Sequence, residues 1–163
     1  MVQVFDSWAG ELSPHDFTTF ALPVLTHISS GVRSKLGELG IPIVPMILFA
    51  KGANTSIAAQ AQHAGYDVLG LDWVIEPSEA RRLVDASSTR TIALQGNIDP
   101  GILYGGRDAI EREVKYMCES FMGESKTSKA WIANLGHGIT PGVDPEDMRC
   151  FLHCVHKYSA KAA

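Results

Sequence analysis

Residues 2–14 read VQVFDSWAGELSP. An apolar run carries into Asp6-Ser7-Trp8 and then into a polar turn. That exit decides the fold. A first strand of a doubly wound nucleotide-binding sheet runs into G-x-G-x-x-G or G-x-x-x-x-G-K-[ST], whose glycines let a phosphate approach the backbone. Neither pattern follows here. A strand that ends in polar side chains instead suits the C-terminal face of a (β/α) barrel, where such folds keep their chemistry.

Four further runs have the same character: PIVPMILFA (42–50), DVLGLDW (67–73), TIALQGN (91–97) and WIANLGH (131–137). They are mostly continuous in apolar residues rather than strictly alternating, which predicts strands buried on both faces. Helical spacing fills the gaps. Leu22, Leu25, Ile28, Val32 and Leu36 mark one helix. Residues 55–64 make a second, stopped at Gly65, and residues 78–85 a third after Pro77. Ile110, Val114, Met117 and Phe121 place a fourth over 107–122. Met148, Phe151, Leu152, Val155 and Tyr158 define a C-terminal helix. Asp144-Pro145-Glu146 supplies its cap, its first turn and an acidic complement to its dipole. Strand and helix alternating five times predict an α/β fold with a parallel sheet of TIM-barrel type. Five units do not close an eight-stranded barrel, so residues 1–163 are expected to be one partial barrel domain.

The strand ends collect polar groups: Asp6 and Ser7, Lys51, Asp72, Asn97 with Asp99, and Asn134 with His137. On a barrel all would share one end. His137 lies between Gly136 and Gly138, which let backbone and ligand approach closely. It is either a functional histidine or one hydrogen-bonded within a turn. Asp6 and Asp72 are carboxylates facing a substrate or caps of local structure, and capping suits Asp6 better because Ser7 is its neighbour. Lys51 invites a pyridoxal phosphate Schiff base, but that needs a phosphate cup and only Gly52 follows it. An electrostatic or structural role is expected there. Asp99-Pro100-Gly101 is expected to turn. Trp8 and Trp73 are expected in core packing rather than as walls of a pocket.

Composition removes other classes. Lys plus Arg number 14 and Asp plus Glu 18, so the net charge is 14 − 18 = −4, with no basic stripe for nucleic acid. No apolar run approaches a membrane span, and MVQVFDSW lacks the basic start and long apolar stretch of a signal peptide. Cys118, Cys150 and Cys154 show no disulfide framework, which favours a reducing, cytoplasmic setting. Cys150, His153, Cys154 and His156 cluster as candidate metal ligands, yet the helical spacing of the segment makes the cysteines core-edge residues, and no metal is expected.

Taken together, "VFDSWAGELSP" (4–14), "MILFAKG" (46–52), "GLDW" (70–73), "LQGNIDPGILYG" (94–105) and "NLGHG" (134–138), the last followed by "TPG" and "DPE", resemble uroporphyrinogen decarboxylase. The order and spacing agree over essentially the whole chain, which is similar to the C-terminal part of that enzyme. The resemblance implies a (β/α)8 barrel, usually a homodimer, whose fourth to eighth strands are the five runs above. It implies removal of carbon dioxide from the four acetate side chains of uroporphyrinogen III to give coproporphyrinogen III, with no metal and no organic cofactor. Ser7 matches a serine that hydrogen-bonds the substrate. His137 matches a histidine that contacts a substrate carboxylate and affects catalysis. The implied mechanism protonates a pyrrole carbon and uses a nearby carboxylate to stabilise the cation, and that carboxylate is not in these motifs.

The family's arginine-bearing motif, its pyrrole-binding aspartate and its tyrosine are expected upstream of Met1. An eight-carboxylate substrate asks for a dense arginine clamp. By pattern Arg33, Arg81, Arg82, Arg107, Arg112 and Arg149 fall in helices, and Arg90 precedes its strand. The chain by itself is therefore expected to be inactive and prone to associate. The alternatives are a truncated, inactive paralogue or fragment, and a corrinoid-dependent methyltransferase relative on the same barrel. The latter would carry a zinc-binding His-x-Cys at a strand end, whereas the cysteines here fall in helices.

Overall fold

Successive side chains of a strand point to opposite faces, so each strand divides its residues between two surroundings. The computed structural model describes residues 1–123 and 130–160. Five parallel strands, β1 (Val2–Asp6), β2 (Met46–Ala50), β3 (Val68–Gly70), β4 (Ala93–Ile98) and β5 (Trp131–Leu135), lie side by side in sequence order. In register, Val4, Leu48, Leu69, Leu94 and Trp131 form one row across the sheet. Every member belongs to or packs against a single hydrophobic core. One residue further along, Phe5, Phe49, Gly70, Gln95 and Ile132 form a second row on the opposite face. Phe5, Phe49 and Gln95 from that row line an open cavity instead.

The helices account for the first face. A short α1 (Pro14–Asp16), capped by Ser13 Oγ accepting from the Asp16 N–H at 3.1 Å, runs through a π-helical turn at Phe17–Ala21 into α2 (Leu22–Glu38). Then follow α3 (Ile57–His63), α4 (Pro77–Ser87), α5 (Arg107–Met122) and α6 (Pro145–Ser159). Each of α2 to α6 buries apolar residues in the same core, among them Leu25, Ile57, Val84, Val114 and Phe151. Trp131 of β5 stacks on Phe121 of α5, centroids 4.8 Å apart and planes 14° from parallel. A doubly wound sheet reverses its strand order and carries helices on both faces. Sequential order with a one-sided core is the arrangement of successive units in a barrel wall.

Boundaries differ from the sequence pattern for local reasons. The run at 42–50 becomes strand only from Met46, because Pro42 and Pro45 have no N–H to give a ladder. The run at 67–73 keeps only Val68–Gly70, since Asp72 turns inward to bind neighbouring loops. The helix expected at 55–64 spans 57–63 after a 3₁₀ turn at Asn54–Ser56, and Gly65 (φ +77°) follows it. The helix at 107–122 and the Asp144 cap, which accepts from the Glu146 N–H at 2.9 Å, are as expected.

At the opposite end of the sheet Asp67, just before β3, gathers three donors. Its carboxylate accepts from Arg33 at 2.6 Å, from Arg90 at 3.2 Å and from the Met46 N–H at 2.9 Å. Burial alone would raise its pKa, but the Met46 N–H and the two guanidiniums together hold it below the usual carboxylate range.

Two outcomes are expected. Leu94→Ala, fully buried in the first row, lowers stability to urea by about 2–5 kcal/mol, whereas Phe5→Ala, on the open face, changes it by roughly 0.5 kcal/mol or less. Because the folded Asp67 pKa is depressed, its contribution is present above the unfolded value of about 4 and is lost as pH falls through the folded value. Melting curves between neutral pH and pH ~3 should show a steeper acid loss in the natural chain than in Asp67→Asn.

Candidate functional site

β5 ends at Leu135, and Gly136 then turns the chain across the sheet end, its N–H bonding the Ile98 carbonyl at 2.7 Å. A Cβ at Gly136 would lie 2.6 Å from the Trp73 nitrogen and 3.0 Å from the Asn97 carbonyl oxygen. Only glycine lets this segment press against the loop after β3 and the end of β4. The next residue, His137, is thereby delivered to the open face. Its ring meets Phe49 edge-on at 6.5 Å and Trp73 at 6.4 Å. Phe49 in turn meets Phe5 at 6.2 Å. Phe49 settles over Gly70, where a Cβ would stand 3.0 Å from its ring. The result is a cavity of about 400 Å³ lined by Gln3, Phe5, Phe49, Gln95, Asn134 and His137. Aromatic walls, three carboxamides and one imidazole suit a flat, largely apolar ligand with polar arms.

Ser7 is exposed and lines a different cavity, of about 330 Å³, with Trp8, Gly10, Glu11, Lys51 and Gly52. Backbone bonds shape it. The Lys51 N–H bonds the Asp6 carbonyl at 3.1 Å, and the Gly10 N–H bonds the Lys51 carbonyl at 2.8 Å. Asp6 thus holds the Lys51 loop through its main chain. Among the described residues no carboxylate pairs with the Lys51 ammonium. Ser7, Lys51 and His137 all follow the C-terminal ends of their strands, but Ser7 and His137 open into separate cavities.

Asp72 and Asn97 correct the expectation of free polar groups on the open face. Asp72 is only 3% exposed. One carboxylate oxygen accepts from the Gly52 N–H at 2.6 Å, the other from Asn54 Nδ2 at 2.7 Å and the Val74 N–H at 3.0 Å. Asn97, 6% exposed, donates from Nδ2 to the Asp72 carbonyl at 2.9 Å and to the Ile75 carbonyl at 2.7 Å. Buried polar atoms must be paired, and these are paired with loops. Both tryptophans also depart from core packing. Trp8 is 76% exposed beside the 3₁₀ turn Ala9–Glu11, and Trp73 is 40% exposed with its ring against His137. Tyr104 Oη and Thr140 Oγ1, 2.6 Å apart, join the loop after β4 to the loop bearing His137.

Sequence reasoning missed Gln3, Phe49 and Gln95, which alternation along their strands would have assigned to the open face. Among the described residues no three His, Cys, Asp or Glu side chains gather as metal ligands. Burial lifts the thiols of Cys118 and Cys154 to about 11 each. No helix of the described residues is long and apolar enough to cross a membrane.

Over residues 1–158 the chain matches the sequence profile of the uroporphyrinogen decarboxylase (URO-D) family. It is 49% identical over 160 residues to the uroporphyrinogen decarboxylase of Schizosaccharomyces pombe, covering 98% of this chain and 43% of that protein. It is 43% identical over 158 residues to the human uroporphyrinogen decarboxylase, covering 97% of this chain and 40% of that protein. The chain therefore spans about two fifths of the length of these relatives. Among solved structures, a methyltransferase from Methanosarcina mazei superposes with a TM-score of 0.74 at 19% identity, over 98% of this chain and 42% of that one. At that identity the likeness speaks for the fold alone.

Replacing Asp72 by Asn tests the loop network. An amide nitrogen would then face one of the N–H donors, so stability should fall by about 1–3 kcal/mol, read from urea unfolding.

Proposed function

Because the chain belongs to the uroporphyrinogen decarboxylase family, we propose that residues 1–163 supply the last five of eight βα units of a decarboxylase barrel. The assembled enzyme removes carbon dioxide from the acetate side chains of uroporphyrinogen III and gives coproporphyrinogen III. It works in the cytoplasm as a homodimer. The observation that carries this proposal is the family match through residues 1–158, which includes Ser7 and His137 within their motifs.

The residues take their roles from what they touch. Phe5 and Phe49 offer apolar faces to a flat tetrapyrrole. His137, set between Phe49 and Trp73, donates an N–H to a substrate carboxylate and affects catalysis there. Ser7 hydrogen-bonds the substrate from the neighbouring loop. Lys51, free of carboxylate partners among the described residues, adds attraction for a polyanion. Asp6, Asp72 and Asn97 keep these loops in place. Among the described residues no arginine lines either cavity. The arginine clamp that eight carboxylates require is assigned to the additional length of the relatives.

A second proposal is a family segment with no catalysis of its own. It draws on the same missing arginines and on β1 and β5, each paired on one side only among the described residues. One experiment addresses both. The matching segment of the Schizosaccharomyces pombe relative is replaced by this chain, and the chimera is incubated anaerobically with uroporphyrinogen III. Products are separated by carboxylate number. The chimera should convert the substrate, and the 163-residue chain alone should not exceed the uncatalysed rate. His137→Asn in the chimera should slow conversion by roughly 10²-fold or less, the low end for an acid–base group. A folded chimera that makes no product of lower carboxylate number would overturn the proposal. Undiminished turnover in His137→Asn would remove that residue from the site.

A further inference from the structure

Trp73 matches no assigned role, yet the peptide groups on both sides of it are hydrogen-bonded. The carbonyl before it, of Asp72, accepts from Asn97 Nδ2 at 2.9 Å. The N–H after it, of Val74, bonds back to the Asp72 carboxylate at 3.0 Å. Two residues on, the Ile75 carbonyl accepts from the same Asn97 amide at 2.7 Å. On the remaining side Gly136 presses so close that a Cβ there would stand 2.6 Å from the Trp73 nitrogen. With its backbone fixed from several directions, the indole is aimed by the fold.

What it is aimed at is His137. The two rings stand 6.4 Å apart and 82° from parallel, an edge-to-face contact. Phe49 makes a second such contact with the imidazole at 6.5 Å and 66°. His137 itself lies exposed on a loop after β5, where an imidazole without neighbours would sample several rotamers. Two aromatic walls favour one orientation. Contacts of this kind weight a preferred orientation by roughly twofold to tenfold each.

We infer that Trp73 is a positioning residue. It acts through His137, holding the imidazole ready for a substrate carboxylate, and Asp72 with Asn97 fixes the loop that carries it. The assignment rests on the proposal that His137 faces substrate. It adds a physical role for the buried Asp72–Asn97 pair, which ties the loops after β2 and β3 to the end of β4 and so places one ring. Trp73 is 40% exposed, so truncating it removes little core and leaves the fold able to report the local effect.

Aromatic proton–carbon NMR spectra of the 163-residue chain give the direct readout. The His137 ring signals are identified by their loss in His137→Gln. Trp73→Ala should move them and leave those of His15, His27 and His63 in place, while Trp73→Phe should keep most of the natural position. Unmoved His137 signals in Trp73→Ala would overturn the inference. In the chimera, Trp73→Ala should lower kcat/KM by roughly twofold to tenfold, and Trp73→Phe should restore most of it. If His137→Asn impairs the chimera and Trp73→Ala does not, the positioning role fails and that of His137 stands. If His137→Asn has no effect, the substrate-facing role fails, and the positioning role with it.

Discussion

A strand assigns each residue to one face or the other, and parallel pairing in sequence order copies that assignment from neighbour to neighbour. Val4, Leu48, Leu69, Leu94 and Trp131 inherit the helical side, while Phe5, Phe49, Gly70, Gln95 and Ile132 inherit the open side. A slip of one residue in any strand would push a core leucine into the cavity and a cavity side chain under the helices. The same parity that makes the core contiguous therefore sets the chemistry of the cavity wall. Stability and site are two readings of one register.

β3 shows how the ends of such a sheet are managed. It is only three residues long, and an aspartate stands beyond each end. Asp67 collects two guanidiniums and an N–H at one end of the sheet, and Asp72 collects donors from two loops at the other. The first draws α2 and the segment before β4 toward the strand starts. The second gathers the loops on which the candidate site is built. Short strands give few ladder bonds, and carboxylates that accept several N–H groups make up for this with strong, charge-assisted ones.

Much of this was legible from residue patterns. The five strands, the helices α2 to α6 and the one-sided order followed from apolar runs, helical spacing and the missing phosphate loop. Caps announced themselves, as at Asp144, because capping is local. The motifs around Ser7 and His137 marked the strand ends. What sequence did not show was where polar groups at those ends spend their hydrogen bonds. Asp72 and Asn97 look like any strand-end polar residue until the loops of 52–54 and 74–75 fold over them. Trp8 and Trp73 looked like core because large aromatics usually are. Their exposure depends on loop paths that no periodicity encodes. Proline spacing at 42 and 45 did carry the true start of β2, but the apolar run masked it.

Gly70 sets the depth of the His137 cavity. The ring of Phe49 rests 3.0 Å from where a Cβ at position 70 would stand. A larger residue there would press on that ring, which lines the cavity together with His137. The girth of ligand this chain admits is thus governed by an atom that is missing, on the shortest strand of the sheet. For a protein engineer, position 70 is a gauge of cavity height that can be reset without altering a single group that carries charge or a proton.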